Sequence, residues 1–488
     1  MKRILIPLLA LAAAMTFAQP PRPLPPGYPD RSGNIDLERG FRTPPAGYGE
    51  VPFYWWIGDT LTREHLAWQL DMLARKRISS LGDEHGVDIH TDTGGITYGR
   101  TFRSKPDLFT PAWWELFGWF MTEAGKRGMT VSLSDYTLGV GQGSYVDEML
   151  AEDPTLNGSE LHFDSLELGR GERFSRAYAQ RPLSLNAYPL DARGRIDGAP
   201  VDLLPEMGPD GVEWQNPWPR ALVAEVKAER RLPSLDPMHP RAGHSYVRHF
   251  FQRFADRFPG ESETGLNFFF SDELNFNLQG NIWNDIFRDE FMRRKGYDIL
   301  PQIDALFVDL GDSSVKVRMD YNDVRVALSE ENFFIPVYEW HQRRGLLFGC
   351  DHGGRGRDVG EFGDYFRTQR WNQAPGCDQP MLQKDIIKNK VASSISHLYE
   401  RQRVWLEGFH SSEWSTNSAQ LTDAIFANFA MGQNLLSLHG LYYTTMGGWW
   451  EWAAPCNHFH EPYWDEMDGL LECTERLSYI LSQGYHVA

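Results

Sequence analysis

The chain has 488 residues, 41% hydrophobic and 23% charged, with a formal net charge of -18. That length exceeds what one small core needs and suits a barrel with an insertion or a second domain. Phosphate contacts require clustered Lys and Arg, so the acidic balance argues against nucleic acid and against an anionic membrane surface. It fits a protein acting on a neutral small molecule or polymer.

The N-terminus has the layout of a secretory signal peptide over residues 1–18: Lys2-Arg3, an apolar run from Ile4 to Ala14, then Thr16-Phe17-Ala18. The apolar run is too short to span a bilayer. The expectation is a secreted or periplasmic protein with no membrane contact after signal removal; the oligomeric state stays open. Residues 19–50 are rich in Pro and Gly, lack periodicity and read as an extended leader. Export permits disulfides, and the four cysteines, Cys350, Cys377, Cys456 and Cys473, allow three pairings. Cys456-Asn457-His458-Phe459-His460 reads as a polar loop in preference to a metal site.

From residue 51 the chain alternates between short β-rich runs and amphipathic helices. Phe53 to Ile57 is the first strand. Thr62 then caps a helix with Leu66, Leu70 and Leu73 on one face. Ile78 to Leu81 ends in Asp83-Glu84-His85. Thr110-Pro111 opens a helix carrying Trp114, Phe117 and Met121, which stops at Gly128. Met129 to Leu133 leads into Ser134-Asp135-Tyr136. Turn signals at Asn157-Gly158, Asp197-Gly198 and Asp210-Gly211 then mark residues 155–232 as an antiparallel β insertion on a barrel loop. Pro240 starts a helix with Val247, Phe250, Phe251, Phe254 and Phe258 as its buried stripe. Four further strands end in Ser271-Asp272-Glu273, Cys350-Asp351-His352, Glu407-Gly408-Phe409-His410 and His439-Gly440, with a weaker one around Pro375 to Asp378. Helices fit within 384–402 and 418–431.

Eight strands, each followed by a polar cluster and none by a Gly-rich phosphate loop, favour an α/β fold of the (β/α)8 TIM-barrel type over a doubly wound sheet. Its first part is 51–154 and its second 233–488, the insertion lying between.

Strand-end side chains of such a barrel converge on one pocket. Glycoside cleavage needs two carboxylic groups there, one protonated to serve the leaving oxygen and one ionised to attack the sugar or activate water. Glu273 and Glu407 are the catalytic candidates. Each alone could equally cap a helix or pair with an arginine; the need for a pair raises both. Strand residues alternate between faces, so Asp272 competes with Glu273 for the pocket. Asp83, Glu84, His85, Asp135, Asp351, His352, Asp378, His410, Glu413 and His439 are second-rank candidates for sugar hydroxyls or a metal, each more often a satisfied structural group. Aromatic planes pack on sugar C–H faces, and the chain has 17 Trp. Trp414, Trp449, Trp450 and Trp452 lie beyond the last strands and are platform candidates. Trp113 and Trp114 sit on a helix and read as core.

Several segments stand in order: Phe269-Phe270-Ser271-Asp272-Glu273, Arg293 to Asp298 with Leu300-Pro301, and Pro375-Gly376-Cys377-Asp378. Ala392 to His397, Val404 to Phe409, His439 and Pro462-Tyr463-Trp464 follow. Together they resemble glycoside hydrolase family 106, the large exported α-L-rhamnosidases and their relatives. The resemblance covers roughly residues 235–485. It implies an inverting hydrolase with Glu273 as general acid and Glu407 as general base, a carbohydrate substrate with L-rhamnose favoured, and a calcium ion near the sugar whose ligands it does not assign. Family members continue into β-sandwich domains, whereas this chain stops at Ala488, which casts it as a fragment or a shortened relative.

Two other readings compete. A retaining glycosidase acting on another sugar would hold its carboxyl groups about 5 Å apart, against roughly 6.5–9.5 Å for inversion. A non-catalytic carbohydrate-binding barrel would keep an aromatic cleft without facing glutamates.

Overall fold

A computed structural model describes residues 24–56, 59–76, 80–84, 105–107, 109–134, 145–209, 211–259, 266–352, 359–445 and 455–484. The expected signal peptide, His85, Asp135, Trp449, Trp450 and Trp452 lie outside these residues. For Asp83, Glu84, Asp272, Glu273 and His352 the description covers the backbone only.

The helices begin where side chains satisfy otherwise orphaned backbone N–H groups. Thr62 accepts from the His65 amide at the start of Arg63–Ala74, and Leu66, Leu70 and Leu73 are buried on one face. Thr110 does the same for Pro111–Lys126, with Trp113 and Trp114 in the core. At Ser418–Ala430, Asn417 and Gln420 cap one another reciprocally. The single helix expected after Pro240 is instead two, Ala242–His249 and Phe251–Arg257, because Phe250 leaves helical geometry at φ -119°, ψ -78°. There its ring packs on Tyr145, centroids 4.9 Å apart.

Eight strands run parallel, each paired with the next: Phe53–Trp55, Ser80–Glu84, Thr130–Ser134, Leu266–Leu274, Leu347–His352, Ala374–Gln379, Trp405–Gly408 and Leu435–Leu438. Leu441–Tyr442, just past the eighth, pair back with Tyr54 and Trp55 of the first. The sheet is therefore strongly curled. Alternation along the strands sorts the side chains into two apolar clusters. Phe53, Trp55, Phe270, Leu347, Ala374, Trp405 and Leu435 form one cluster. They come from strands far apart in the sheet order, so they meet across its concave side. Tyr54, Trp56, Leu133, Phe348, Leu406 and Leu436 pack outward under the helices. Trp405 stands level with Gly376 on the neighbouring strand, and a Cβ on Gly376 would lie 2.1 Å from its ring, which is why glycine stands there.

The connection between the third and fourth strands carries the antiparallel sheet. Ser159–Gly169 pairs along its whole length with Arg220–Arg230, and Ser184–Pro189 adds on the other side. Ile282–Trp283, which follow the fourth parallel strand, pair with Ser159 and Glu160 and tie this sheet to the main one. Buried Asp304 accepts from Ser184, Asn186 and Tyr188 at 2.7–2.8 Å and clamps it from below.

Residues 24–50 are tied down on the main sheet. Buried Arg403 donates to the carbonyls of Gly27 (3.3 Å), Gly47 (2.9 Å) and Asn434 (2.6 Å), and its guanidinium lies over the Tyr48 ring. Tyr28 donates to the Leu346 carbonyl at 2.8 Å. All four cysteines are free thiols. Among the described residues no helix is long and apolar enough to cross a membrane.

Candidate active site

The sixth and seventh strands run in register so that Asp378 stands beside Glu407, and Glu407 beside Ser437 of the eighth. Alternation from Trp405, which lies on the concave side, puts Glu407 on the same side two residues later. The same count from Ala374 gives Asp378, and from Leu347 gives Asp351. All three carboxylates are buried, Asp351 and Asp378 fully and Glu407 to 4% exposure. Three acids on neighbouring strand ends thus share one concave floor, lined beneath by Trp405, Phe270 and Phe53.

His410 leans over this floor. Its Nε2 lies 3.3 Å from Asp378 Oδ2, and its Nδ1 lies 2.9 Å from Ser411 Oγ. Its side chain keeps 23% exposure while that of Asp378 has none, so the imidazole is the group of the pair that meets solvent. One donor atom each from Asp378, Glu407 and His410 falls within 4.8 Å of the others. His439 packs with ring centroids 5.7 Å from His410 and 5.1 Å from Phe53. Burial, and then the neighbouring His410, push its pKa well below the ordinary histidine value, so this ring is neutral at pH 7.

The backbone of the fourth strand changes the contest between Asp272 and Glu273. Ser271 is level with Cys350 and Leu274 with His352, an irregularity that sets two residues, Asp272 and Glu273, against the single Asp351. Simple alternation therefore breaks at this step, as it does at bulges, which frequently adjoin active sites. Asp83, at the end of the second strand, is level with Tyr54 and Leu133. Trp414 is 41% exposed, four residues beyond His410.

Supporting residues escaped the sequence reading. Lys388 is buried and donates from Nζ to the Asp378 carbonyl at 3.0 Å, holding that strand end. Asn457 Nδ2 donates to the His439 carbonyl at 2.8 Å. A lysine on a helix and an asparagine in a presumed loop carry no distinguishing signal. The run 456–460 is a loop, as expected, but its first part is buried. Cys456, Asn457 and His458 are buried; His458 Nε2 meets Glu50 Oε1 at 2.9 Å, and Cys456 Sγ lies 3.1 Å from His460 Nδ1. Burial disfavours a charged His458, yet Glu50 beside it drives its pKa up to about 10. Burial would raise the Cys456 thiol, but hydrogen bonds with His458 and His460 bring it down to about 6.

Residues 233–488 match the glycoside hydrolase 106 family, described as alpha-L-rhamnosidase. No curated protein sequence matches the chain. Among solved structures, a rhamnosidase from Novosphingobium sp. PP1Y superposes with a TM-score of 0.66 at 14% identity, over 92% of this chain. The chain covers 61% of that rhamnosidase's length. At this identity the likeness shows the fold. An endo-beta-1,4-mannanase from Thermotoga petrophila aligns over 92% of this chain and 79% of its own at 7% identity, with a TM-score of 0.39.

Proposed function

The chain belongs to glycoside hydrolase family 106, the alpha-L-rhamnosidases, and from that premise we propose that it is an exported inverting hydrolase releasing a terminal α-L-rhamnosyl unit from an oligo- or polysaccharide. The sheet then acts as a closed (β/α)8 barrel, a reading supported by the pairing of Leu441–Tyr442 with the first strand three residues after Leu438 leaves the seventh. The single observation that carries the chemistry is Glu407: a buried carboxylate on the concave side, at a strand end, beside Asp378 and under His410.

In this reading Glu273 is protonated and donates its proton to the glycosidic oxygen as the C–O bond breaks. Glu407 is ionised and takes a proton from a water that attacks the anomeric carbon from the opposite face, which inverts the configuration. Asp378 and His410 hold sugar hydroxyls or the water beside Glu407, and Trp414 offers a plane at the rim for an apolar ring face. A dry floor of Trp405, Phe270 and Phe53 strengthens each of these polar contacts by excluding solvent.

Calcium, implied by the family, prefers six to eight oxygen ligands. The cluster of Asp378, Glu407 and His410 contributes an imidazole nitrogen among its three donors and does not fit that preference. No step here depends on such an ion.

The test is hydrolysis of a panel of aryl glycosides, with proton NMR following the anomer first released. The expected result is cleavage of the α-L-rhamnoside with inverted product, and loss of turnover in both Glu273→Gln and Glu407→Gln. Full rate in both variants would refute the assignment, and a product of retained configuration would replace inversion with a covalent route.

A further inference from the structure

The mismatch between this donor set and a hard cation points to a different ligand. We propose that Asp378, Glu407 and His410 form a site for a divalent transition-metal ion of the zinc class, and that its occupancy switches hydrolysis off by engaging Glu407.

Two carboxylate oxygens and one imidazole nitrogen form a donor set of the kind that zinc-class ions take, with a fourth position left for water. The geometry agrees. Donor atoms bound at about 2.1 Å around a tetrahedral ion lie about 3.4 Å from one another. His410 Nε2 and Asp378 Oδ2 are already 3.3 Å apart, past the usual range for a hydrogen bond but suited to two ligands of one ion. All three donor atoms lie within 4.8 Å of each other, so a small closure completes the set.

The surroundings also suit an ion. Ser411 Oγ lies 2.9 Å from His410 Nδ1, placed as an outer partner is for a histidine that ligates through Nε2, the nitrogen that faces Asp378. The Asp378 backbone is fixed by Lys388. His410 is partly exposed, whereas Asp378 and Glu407 are buried, so an ion reaches the carboxylates by way of the imidazole. Once bound, it holds the Glu407 oxygen that must otherwise take a proton from water.

The inhibitory half rests on the proposed role of Glu407; the binding half does not. Metal-free full-length protein is titrated with zinc ion alone by calorimetry, and thermal unfolding is followed with and without zinc. The expected result is one zinc per chain and a raised unfolding midpoint. Both effects should weaken at least about tenfold in apparent affinity in His410→Gln and in Asp378→Asn, each checked for a native circular dichroism spectrum. Calcium ion in excess should leave the zinc heat unchanged. Wild-type binding that is absent, or equally strong in both variants, overturns the site. In the rhamnoside assay, zinc should abolish turnover and a chelator restore it; saturation with zinc that leaves turnover unchanged or raises it overturns the switch. If the metal-free protein cleaves no glycoside, the hydrolase reading fails, and calorimetry still decides the site.

Discussion

Among the described residues, two clusters that each pair a histidine with a glutamate stand in contrast. At the strand ends, Asp378, Glu407 and His410 sit under a partly exposed imidazole. Against the start of the first strand, Glu50, Cys456 and His458 are sealed from solvent. The first has polar groups crowded where a ligand can arrive. The second is closed on itself, His458 meeting Glu50 at 2.9 Å on one side and Cys456 lying beside it. Access is what separates the candidate site from a structural lock.

Each cluster can be broken separately, and the largest effect is expected at the first. Glu407→Gln should lower kcat on the rhamnoside by about 10²–10⁴-fold, the usual contribution of a general base, without lowering the urea midpoint. Glu50→Ala should do the reverse. It leaves the His458 charge buried without its partner and should cost about 3–5 kcal/mol in urea unfolding, while the folded fraction turns over normally. Equal activity losses in the two variants would erase the contrast.

The two histidines should also differ in sign against pH. His439 is held neutral, so below about pH 6.5 the unfolded chain binds a proton that the folded one refuses, and stability falls with acidification. His458 is held charged, so its contribution is complete below about pH 6.5 and is lost as pH rises through its folded value of about 10. Chemical denaturation across pH should show His439→Gln flattening the acid limb and His458→Gln the alkaline one, each by at most about 1.4 kcal/mol per pH unit. The smallest effect is expected at the rim: Trp414→Ala should raise KM by about 2–10-fold with kcat little changed, the value of one aromatic contact.

Much of the candidate site was legible along the chain because most parallel strands announce themselves as an apolar run that stops at a polar cluster. Glu407 after Val404-Trp405-Leu406 is the clearest case. Asp378 was harder, since Pro375-Gly376-Cys377 makes only a weak strand signal; glycine is there to clear Trp405, a residue 29 positions away. Alternation does not decide between Asp272 and Glu273, because the irregularity at that strand depends on its pairing with Leu347–His352. That residues 24–50 are anchored was not legible, because the anchor, Arg403, lies far off in sequence.

The sequence by itself determined the strand-and-helix order, the insertion after the third strand and the strand ends at which carboxylates stand, because local periodicity, capping residues and turn residues encode those within a few positions. Only the tertiary structure decided which acids share a floor, that His410 covers Asp378 and that His458 is locked to Glu50. Those depend on strand register and burial, which arise only when distant segments pack together.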